Sequence, residues 1–496
     1  MKKLSEVLRG IVFDDFPETE VRILSSKNEN LERDVSKIVA DSRQIEPNCV
    51  FVAVRGTQVD GHKFIATAIE KGATTIVCED FPEHIEKNIS YLQVVDSSTA
   101  LAKLAANFYN NPSHHLKLIG VTGTNGKTTT TTLLYDLFTA LGYKSGLIST
   151  VEYRVAGQIL PSTHTTPDPV SLQWHFAEMV KAGCTYAFME VSSHALDQNR
   201  TAGVLFSGAL FSNITHDHLD YHKTFAEYIK AKQKLFDQLP RTAFALTNVD
   251  DKNGKIMVQN SRAKIYSYSL RKSSNFSVRI VENTIEGLHL LLDGHDFHAR
   301  LIGEFNAYNL LACYGCAKIL NMPEDEILVA LSNLKGAEGR FDQINDIKSG
   351  ITGIVDYAHT PDALQKVLET IQQLRKPGQR IITLTGCGGD RDPAKRHSMG
   401  KIAAEMSDIA ILTSDNPRSE DPQQIINQMQ AGVAAKNQRK VIENADRKQA
   451  IKTALQLAQR GDIILLAGKG HEKYQEINNI KYPFDDKEIL LELLGK

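Results

Sequence analysis

Residues 116–129 read Leu-Lys-Leu-Ile-Gly-Val-Thr-Gly-Thr-Asn-Gly-Lys-Thr-Thr, and this stretch decides the fold of the chain around it. An apolar strand over 116–121 ends in a glycine-rich turn, and a helix-forming run begins at Lys127. Such a turn directs backbone N–H groups and the positive end of a helix at one point, where a triphosphate can bind. The Lys127 ammonium can then reach the terminal phosphates, and the Thr128 hydroxyl can hold Mg²⁺.

The loop departs from the usual Walker A pattern, which requires a glycine where this chain has Val121. A glycine-rich turn without function would not explain a lysine and a threonine at the correct offsets. We therefore predict that the nucleotide phosphates bind Gly123, Thr124, Asn125, Gly126, Lys127, Thr128 and Thr129.

Length and composition limit the class of protein. A chain of 496 residues is too long for one ordinary core, so we expect about two to four domains. The formal net charge of −2 argues against general nucleic-acid binding, because there is no excess of basic residues to neutralise phosphates. The N-terminus lacks the apolar core of a signal peptide, and no apolar run approaches a membrane span. We expect a cytoplasmic protein with small-molecule partners and no membrane insertion.

The hydrophobic pattern predicts an α/β protein of three domains. Residues 1–112 mix short strands with helices and end in a polar, proline-containing linker at 110–115. Residues 113–336 alternate strands and helices, which predicts a parallel sheet, and the period of two between about 264 and 305 predicts appended antiparallel hairpins. Residues 337–496 alternate again and predict a Rossmann-like domain. Its Gly386-Cys-Gly-Gly389 is not a dinucleotide fingerprint, because the final glycine is replaced by Arg391.

The pair Cys313-Tyr-Gly-Cys316 has a spacing that suggests zinc. It falls within a predicted amphipathic helix, and no second cysteine or histidine pair follows at zinc-site spacing. We interpret these cysteines as small apolar residues on a buried helix face.

Polar residues at predicted strand ends indicate a metal site in the central domain. Glu190 closes the apolar strand 186–190, which would place its carboxylate at the edge of the sheet as an Mg²⁺ ligand. The stretch 213–222 is rich in histidine and aspartate, and we favour Mg²⁺ there with His218 as an unusual nitrogen ligand. Zinc would need a tighter ligand geometry. Judged from the residues alone, Lys232 is one of several solvated lysines on a helix.

Further motifs follow in a fixed order along the chain. They are Gly123–Thr128, Glu190-Val-Ser-Ser-His, Asp217-His218, Ala231-Lys232, Asn306-Ala-Tyr-Asn309, Gly339-Arg340-Phe341 and Asp356-Tyr-Ala-His-Thr-Pro-Asp-Ala363. Together they resemble the Mur ligases of peptidoglycan synthesis over essentially the whole chain. The resemblance implies that Lys232 is carbamylated and becomes an anionic Mg²⁺ ligand. It also implies that Asn306 and Asn309 bracket the adenine, while Arg340 and Asp356 complete the nucleotide site.

Two residue sets resemble the members that extend UDP-N-acetylmuramoyl-L-alanyl-D-glutamate. The set that would bind this UDP-dipeptide is Ser42, Thr165, Thr166, Ser192, Gln198 and Arg200. The motif Asp415-Asn-Pro-Arg418 is similar to that of the members that add meso-diaminopimelate, whose distal end is a zwitterion. The pocket implied for this amino acid is Arg391, Asp415, Asn416, Pro417, Arg418, Gly468 and Glu472. Arginine can bind the distal carboxylate bidentately, and an acid can take the ammonium.

The resemblance implies a monomeric, ATP- and Mg²⁺-dependent amide ligase that works through an acyl phosphate. Its catalytic residues would be Lys127, carbamylated Lys232, Glu190 and His218, and its metal ligands Thr128, Glu190, His218 and Lys232. A lysine-adding ligase of the same family and a folylpolyglutamate synthetase remain alternatives, although the second should lack the UDP-site residues and Asp415–Arg418. A regulatory GTPase is a more distant alternative. Asn248-Val-Asp-Asp251 resembles a guanine-reading motif at a strand end, but valine replaces its lysine. A nucleotide-binding module without catalysis would not need the zwitterion pocket.

Overall fold

The computed structural model describes residues 1–10, 23–27, 30–56, 59–215 and 217–495. The chain divides into two compact units, one of Met1–Ser277 with Tyr308–Ala330 and one of Val278–Ala307 with Leu331–Lys496. Helices and mostly parallel sheets make up both units, which confirms the predicted α/β class. The domain boundaries at 112/113 and 336/337 stay a prediction. Among the described residues, no helix is both long enough and apolar enough to cross a membrane.

The first part of unit one contains a five-stranded mixed sheet, a separate antiparallel pair of strands, and helices. Its strands are β1 (Lys2–Lys3), β2 (Ile23–Lys27), β3 (Asp34–Val35), β4 (Ile38–Val39), β5 (Val50–Val52), β6 (Thr75–Cys78) and β7 (Ser90–Val94), and its helices are α1 (Leu4–Val7), α2 (Ile65–Glu70) and α3 (Ser97–Phe108). The strand order of the sheet is β2-β7-β6-β5-β4, in which only β2 runs antiparallel to its neighbour, and β1 and β3 form the separate pair. Helix α3 begins after Asp96, whose carboxylate accepts a hydrogen bond from the Thr99 N–H. The predicted linker contains a 3₁₀ turn, Pro112–His115, in which Pro112 and Ser113 are buried.

The second part of unit one is built on a larger sheet. Its strands are β8 (Lys117–Thr122), β9 (Ser145–Ile148), β10 (Glu152–Val155), β11 (Gln158–Pro161), β12 (Tyr186–Glu190), β13 (Gly208–Phe211), β14 (Phe244–Asn248), β15 (Lys264–Ser269) and the start of β16 (Phe276–Thr284). The order is β11-β10-β9-β12-β8-β13-β14-β15-β16, and the pairs from β9 to β16 are parallel. After β8 the chain forms β9 and β12 on one side of β8, and it then forms β13 on the other side. The turn after β8 therefore lies at a topological switch point of the sheet.

Helices cover this sheet. They are α4 (Lys127–Ala140), α5 (Pro169–Lys181), α6 (Ser193–Asp197), α7 (Leu219–His222), α8 (Phe225–Asp237), α9 (Gly254–Met257), α10 (Glu304–Ile319) and α11 (Glu324–Asn333); the division between the units falls within α10 and α11. Cys313 and Cys316 are fully buried on α10, which confirms their interpretation as core residues.

The expectation of antiparallel pairing from about 264 was wrong for its first strand. β15 runs parallel to β14, and β16 begins parallel to β15. Antiparallel pairing holds for β16, β17 (Gly287–Leu292) and β18 (His295–Ala299). The first half of β15 is exposed, so its sequence resembles that of a hairpin strand although its partner is parallel. The hairpin of β10 and β11 at the other edge was not predicted.

Unit two contains these hairpins and a second sheet. Its further strands are β19 (Asp342–Asn345), β20 (Thr352–Asp356), β21 (Ile381–Thr385), β22 (Ile409–Thr413), β23 (Val441–Asn444), β24 (Ile463–Ala467), β25 (Tyr474–Ile477) and β26 (Ile480–Pro483), and its further helices are α12 (Pro361–Leu374), α13 (Ala394–Met406), α14 (Pro422–Gln430), α15 (Arg447–Leu457) and α16 (Asp486–Leu493). The order is β19-β20-β24-β21-β22-β23, parallel except for β19. The turns after β21, β22 and β24 therefore meet at one edge of the sheet.

Candidate functional site

The turn between β8 and α4 has a backbone that requires glycine. Gly126 has φ +86°, and a Cβ there would lie 2.7 Å from the Asn309 Oδ1 atom. Gly123 has φ +150°, and a Cβ there would lie 2.0 Å from the Ser212 Oγ atom. Thr128 and Thr129 are buried in the first turn of α4, where helix N–H groups have no intrahelical partner. The arrangement is that of an anion site at a helix N-terminus.

Two lysine side chains converge on one carbonyl of this loop. The Lys127 Nζ atom donates to the Gly123 carbonyl oxygen at 3.1 Å, and the Lys232 Nζ atom donates to the same oxygen at 2.8 Å. Lys232 is only 1% exposed, so its interpretation as a solvated lysine was wrong. Burial lowers the pKa of Lys232 well below its usual value and nearby Lys127 lowers it further, while Asp217 acts in the opposite direction. The surroundings therefore favour a neutral amine over an ammonium at Lys232.

Glu190 stands at the end of β12, next to β8. It is fully buried, and in the parallel register it lies beside Val121. Its Oε1 atom accepts a hydrogen bond from the Thr150 N–H at 2.7 Å, whereas Oε2 has no hydrogen-bond partner among the described residues. A buried carboxylate oxygen without a donor is costly unless a cation binds it. Glu190 therefore fits a role as a metal ligand.

The segment that follows β13 supplies His218. Its imidazole is about half exposed, and the Nε2 atom lies 3.5 Å from the Asp217 Oδ2 atom. His218 has φ +53° and its ring packs edge-to-face against His194 at 4.9 Å. His216, in the same stretch, lies outside the described residues.

In the part of the chain that the structure describes, no group of three or more His, Cys, Asp or Glu side chains is arranged to hold a metal ion. Mg²⁺ commonly uses one or two protein carboxylates together with substrate phosphates and water. Glu190 with the Thr128 hydroxyl fits that donor set.

The residues expected around the nucleotide base divide between the two units. Asn309 is buried in unit one, where its Oδ1 atom accepts a hydrogen bond from the Thr130 hydroxyl at 3.2 Å. In unit two, the Asn306 amide donates to the Ile302 carbonyl at 2.8 Å. The Arg340 guanidinium lies 4.5 Å from the centre of the Tyr357 ring, and the Asp356 carboxylate accepts from the Phe341 N–H at 2.7 Å.

Five of the residues predicted for the UDP-dipeptide lie together beside Glu190. The Thr166 hydroxyl donates to the Glu190 carbonyl at 2.8 Å and accepts from the Ser192 N–H at 3.1 Å. Arg200 donates to the Thr166 carbonyl and, through Nε and Nη2, to the Gln198 side-chain oxygen. Thr165 is joined to Thr150, which in turn holds Glu190. The sixth predicted residue, Ser42, follows β4 and accepts from Lys71 through its carbonyl.

The residues predicted to bind the amino acid lie at the edge of the second sheet where the turns after β21, β22 and β24 meet. Asp415 and Asn416 are buried at the end of β22, and the Asn416 amide donates to the Glu472 Oε2 atom at 2.8 Å. Gly468 packs against Asp415, because a Cβ there would lie 2.9 Å from the Asp415 Oδ2 atom. Burial and the Asp415 charge raise the pKa of Glu472, against the opposing effect of Lys469.

Arg391 and Arg418 both have side-chain atoms next to Gly388. A Cβ at Gly388 would lie 3.0 Å from the Arg418 Nη1 atom and 3.7 Å from the Arg391 Cγ atom. Gly389 packs as closely against the backbone carbonyl of Pro417. These glycines therefore give both arginines room beside the turn after β21.

Two residues of this pocket were not predicted. Lys469 is fully buried and donates to the Asn416 Oδ1 and Glu472 Oε2 atoms at 3.1 and 3.3 Å, with the Asp415 Oδ1 atom at 3.7 Å. The Glu476 carboxylate lies 3.3 Å from the Arg418 Nε atom. Lys469 directly follows Gly468 of the predicted set, so its position was the available signal; Glu476 carried none.

Three family models match, described as Mur ligase family, catalytic domain (residues 34–109), Mur ligase middle domain (121–317) and Mur ligase, glutamate ligase domain (339–470). A UDP-N-acetylmuramoyl-L-alanyl-D-glutamate--2,6-diaminopimelate ligase of Cytophaga hutchinsonii is 57% identical over 463 residues, covering 93% of this chain and 95% of that protein. The protein of the same name from Bacteroides thetaiotaomicron is 52% identical over 462 residues, covering 93% and 96%.

Solved structures give the same result. A structure of UDP-N-acetylmuramoyl-L-alanyl-D-glutamate--2,6-diaminopimelate ligase matches with a TM-score of 0.68 and 30% identity, covering 100% of this chain and 99% of that one. MurF from Acinetobacter baumannii matches with a TM-score of 0.64 over 100% and 99% of the two chains, and at 18% identity it supports the fold alone. By its sequence and its fold, the chain belongs to the Mur ligase family.

Proposed function

We propose that this chain is the ATP-dependent ligase that joins meso-diaminopimelate to the γ-carboxyl group of D-glutamate in UDP-N-acetylmuramoyl-L-alanyl-D-glutamate. The observation that carries the choice of amino acid is the charge set of the pocket. Arg391 and Arg418 both flank Gly388 in the turn after β21, and the acids Asp415 and Glu472 follow β22 and β24 at the same sheet edge. The distal end of diaminopimelate carries a carboxylate and an ammonium, which match these charges. Lysine lacks the distal carboxylate that Arg391 and Arg418 are proposed to bind.

The first step is phosphoryl transfer at the loop after β8. The γ-carboxylate of D-glutamate attacks the γ-phosphorus of ATP, and the bond to the bridging oxygen breaks to give an acyl phosphate and ADP. Lys127 stabilises charge on the transferring group, and the N–H groups at the start of α4 bind the phosphates. The phosphate loop residues from Gly123 to Thr129 are the ATP-binding set of unit one, together with Asn309.

The second step forms the amide. The uncharged amine of diaminopimelate attacks the acyl carbon, and the tetrahedral intermediate expels phosphate and loses a proton. The protein contributes mainly by holding the amine and the acyl phosphate in place. Thr165, Thr166, Ser192, Gln198, Arg200 and Ser42 are assigned to the UDP-dipeptide, and Asn306, Arg340 and Asp356 to the nucleotide.

Glu190, Thr128, His218 and Lys232 would hold Mg²⁺, which neutralises charge on the phosphates when bound. Carbamylation of Lys232 accounts for a lysine in this set. Its burial beside Lys127 disfavours a second ammonium, and a neutral amine is the form that takes up carbon dioxide. The product carries a negative charge that suits both the cation and Lys127. We assign the active protein to the cytoplasm as a monomer.

A reaction-omission experiment tests the proposal. Phosphate release should require ATP, the UDP-dipeptide and diaminopimelate together, and the product mass should equal that of the UDP-dipeptide and diaminopimelate joined with loss of water. A folate and glutamate are offered as the alternative substrate pair. Turnover of that pair without the UDP-dipeptide would contradict the proposal and favour a folylpolyglutamate synthetase.

A further inference from the structure

The turn Asn248-Val-Asp-Asp251, which resembles a guanine-reading motif, binds the protein's own backbone. Asn248 is buried at the end of β14, and its amide donates to the Ser212 carbonyl at 2.9 Å. The Asp251 Oδ2 atom accepts from the Ile214 N–H at 2.8 Å. The two side chains therefore hold the main chain on either side of Asn213.

Asn213 in turn holds the phosphate loop. Its carbonyl accepts from the Thr124 N–H at 2.7 Å, and its Oδ1 atom accepts from the Asn125 N–H at 3.0 Å. Its Nδ2 atom donates to the Asn125 carbonyl at 3.0 Å, and the Ser212 hydroxyl donates to the same carbonyl at 2.7 Å. Residues 212–213 thus hold both N–H and carbonyl groups of the phosphate loop at residues 124–125.

The loop has particular need of such a support. It contains Gly123 and Gly126, and glycine has more conformational freedom to lose than any other residue. The direction of the N–H groups toward a triphosphate depends on this backbone, and phosphoryl transfer depends mostly on positioning.

We infer that Asn248 and Asp251 are positioning residues for phosphoryl transfer, which act through Asn213 to fix the phosphate loop. The inference rests on the proposed ATP-dependent reaction. Neither side chain is assigned a contact with substrate. A purely structural role is the competing explanation, because the Asp251 Oδ1 atom also accepts from the Asn253 N–H at 2.8 Å and shapes its own turn.

The test is Asp251→Asn, which keeps the side-chain size but leaves one acceptor oxygen for two N–H donors. The KM for ATP should rise and kcat/KM for ATP should fall by about tenfold to a hundredfold, the scale of a loop misplaced by roughly 1 Å. The Kd for the UDP-dipeptide, measured by calorimetry, should stay within about twofold because that set lies on other strands.

The matched control is Asp250→Asn, the same replacement one residue earlier. Asp250 accepts from the Ser269 hydroxyl, the Leu270 and Arg271 N–H groups and the Tyr308 hydroxyl, and makes no hydrogen bond to the segment 212–215 among the described residues. Its kcat/KM for ATP should change by less than about threefold. Asn248→Ala is the second test variant, and carries the test if Asp251→Asn does not fold.

The outcomes separate the explanations. A raised KM for ATP in Asp251→Asn or Asn248→Ala, with UDP-dipeptide affinity retained, supports the inference. A lowered kcat with an unchanged KM for ATP would indicate only a smaller folded fraction, and this result would overturn the inference. An equal fall of kcat/KM for ATP in Asp250→Asn would also overturn it, because Asp250 does not act through Asn213. Failure of the wild-type protein to release phosphate would instead count against the proposed function.

Discussion

Replacing Arg418 by alanine removes the guanidinium on which the proposed choice of amino acid depends. The Arg418 Nη1 atom donates to the Gly389 carbonyl at 2.6 Å, and Nε lies 3.3 Å from the Glu476 carboxylate. The backbone is held as well, because the Arg418 N–H donates to the Glu476 carbonyl and the Arg418 carbonyl accepts from the Asn478 N–H. The guanidinium is therefore oriented by the protein before any substrate binds.

The size of the effect follows from these contacts. The side chain is only 20% exposed, so a bound carboxylate would be partly withdrawn from water. Truncating one partner of such a charge pair costs roughly 2–4 kcal/mol, because the other charge is left unpaired. Since 1.4 kcal/mol corresponds to a factor of ten, kcat/KM for diaminopimelate should fall by about thirtyfold to a thousandfold. Arg418 has φ +51°, and alanine adds no strain there that arginine does not already bear.

The assay compares kcat/KM for diaminopimelate and for lysine in the wild type and in Arg418→Ala. Any lysine activity should scarcely change, so the preference should collapse. Arg418→Lys should recover little, because an ammonium lacks the planar fork. Arg375→Ala, which removes an exposed pair with Asp408 in the same unit, is the control and should leave the preference intact. A variant Arg418→Ala with its full preference for diaminopimelate would refute this assignment.

Three further predictions concern single residues. Lys232→Ala should lose most activity and regain part of it when short carboxylic acids are added. The control Lys230→Ala, at an exposed lysine of the same helix, should stay active. Near-normal turnover of Lys232→Ala without additive would contradict the metal role of this buried lysine. Lys127→Ala should abolish acyl phosphate formation and retain UDP-dipeptide affinity by calorimetry, and equal loss of both would argue against separate sites. Because burial and Asp415 raise the pKa of Glu472, its carboxylate is protonated at a higher pH than an ordinary glutamate. The KM for diaminopimelate should therefore rise as the pH falls through that raised pKa, and a pH-independent KM would count against an ammonium contact at Glu472.

The sequence was sufficient to predict the phosphate loop and the order of the motifs, because a strand, a glycine turn and a helix are local features. Burial of Lys232 could not be predicted in that way, since it depends on α8 packing against the distant loop. A weak signal existed. Lys232 follows Tyr228 by four residues and precedes Leu235 by three, so all three lie on the buried face of the helix.

For the predicted amino-acid site too, contacts between segments distant in the sequence could not be predicted. The motif at 415–418 and the residues Gly468 and Glu472 were identified from the sequence. The contact of Glu476 with Arg418 was not, because it depends on the hairpin of β25 and β26, which is short and mostly exposed. Asn478 and Asn479 both have positive φ, as a two-residue type I′ turn requires, and this pair was the available signal for the hairpin.

The most direct test of the central claim is a competition in one reaction. The wild-type protein is given ATP, Mg²⁺, the UDP-dipeptide and equal concentrations of diaminopimelate and lysine, and the masses of the UDP-tripeptide products are compared. The ratio of the two products equals the ratio of kcat/KM values. We predict that the diaminopimelate product dominates by at least about thirtyfold, as the charge pair at Arg418 requires. Equal amounts of the two products, or an excess of the lysine product, would contradict it.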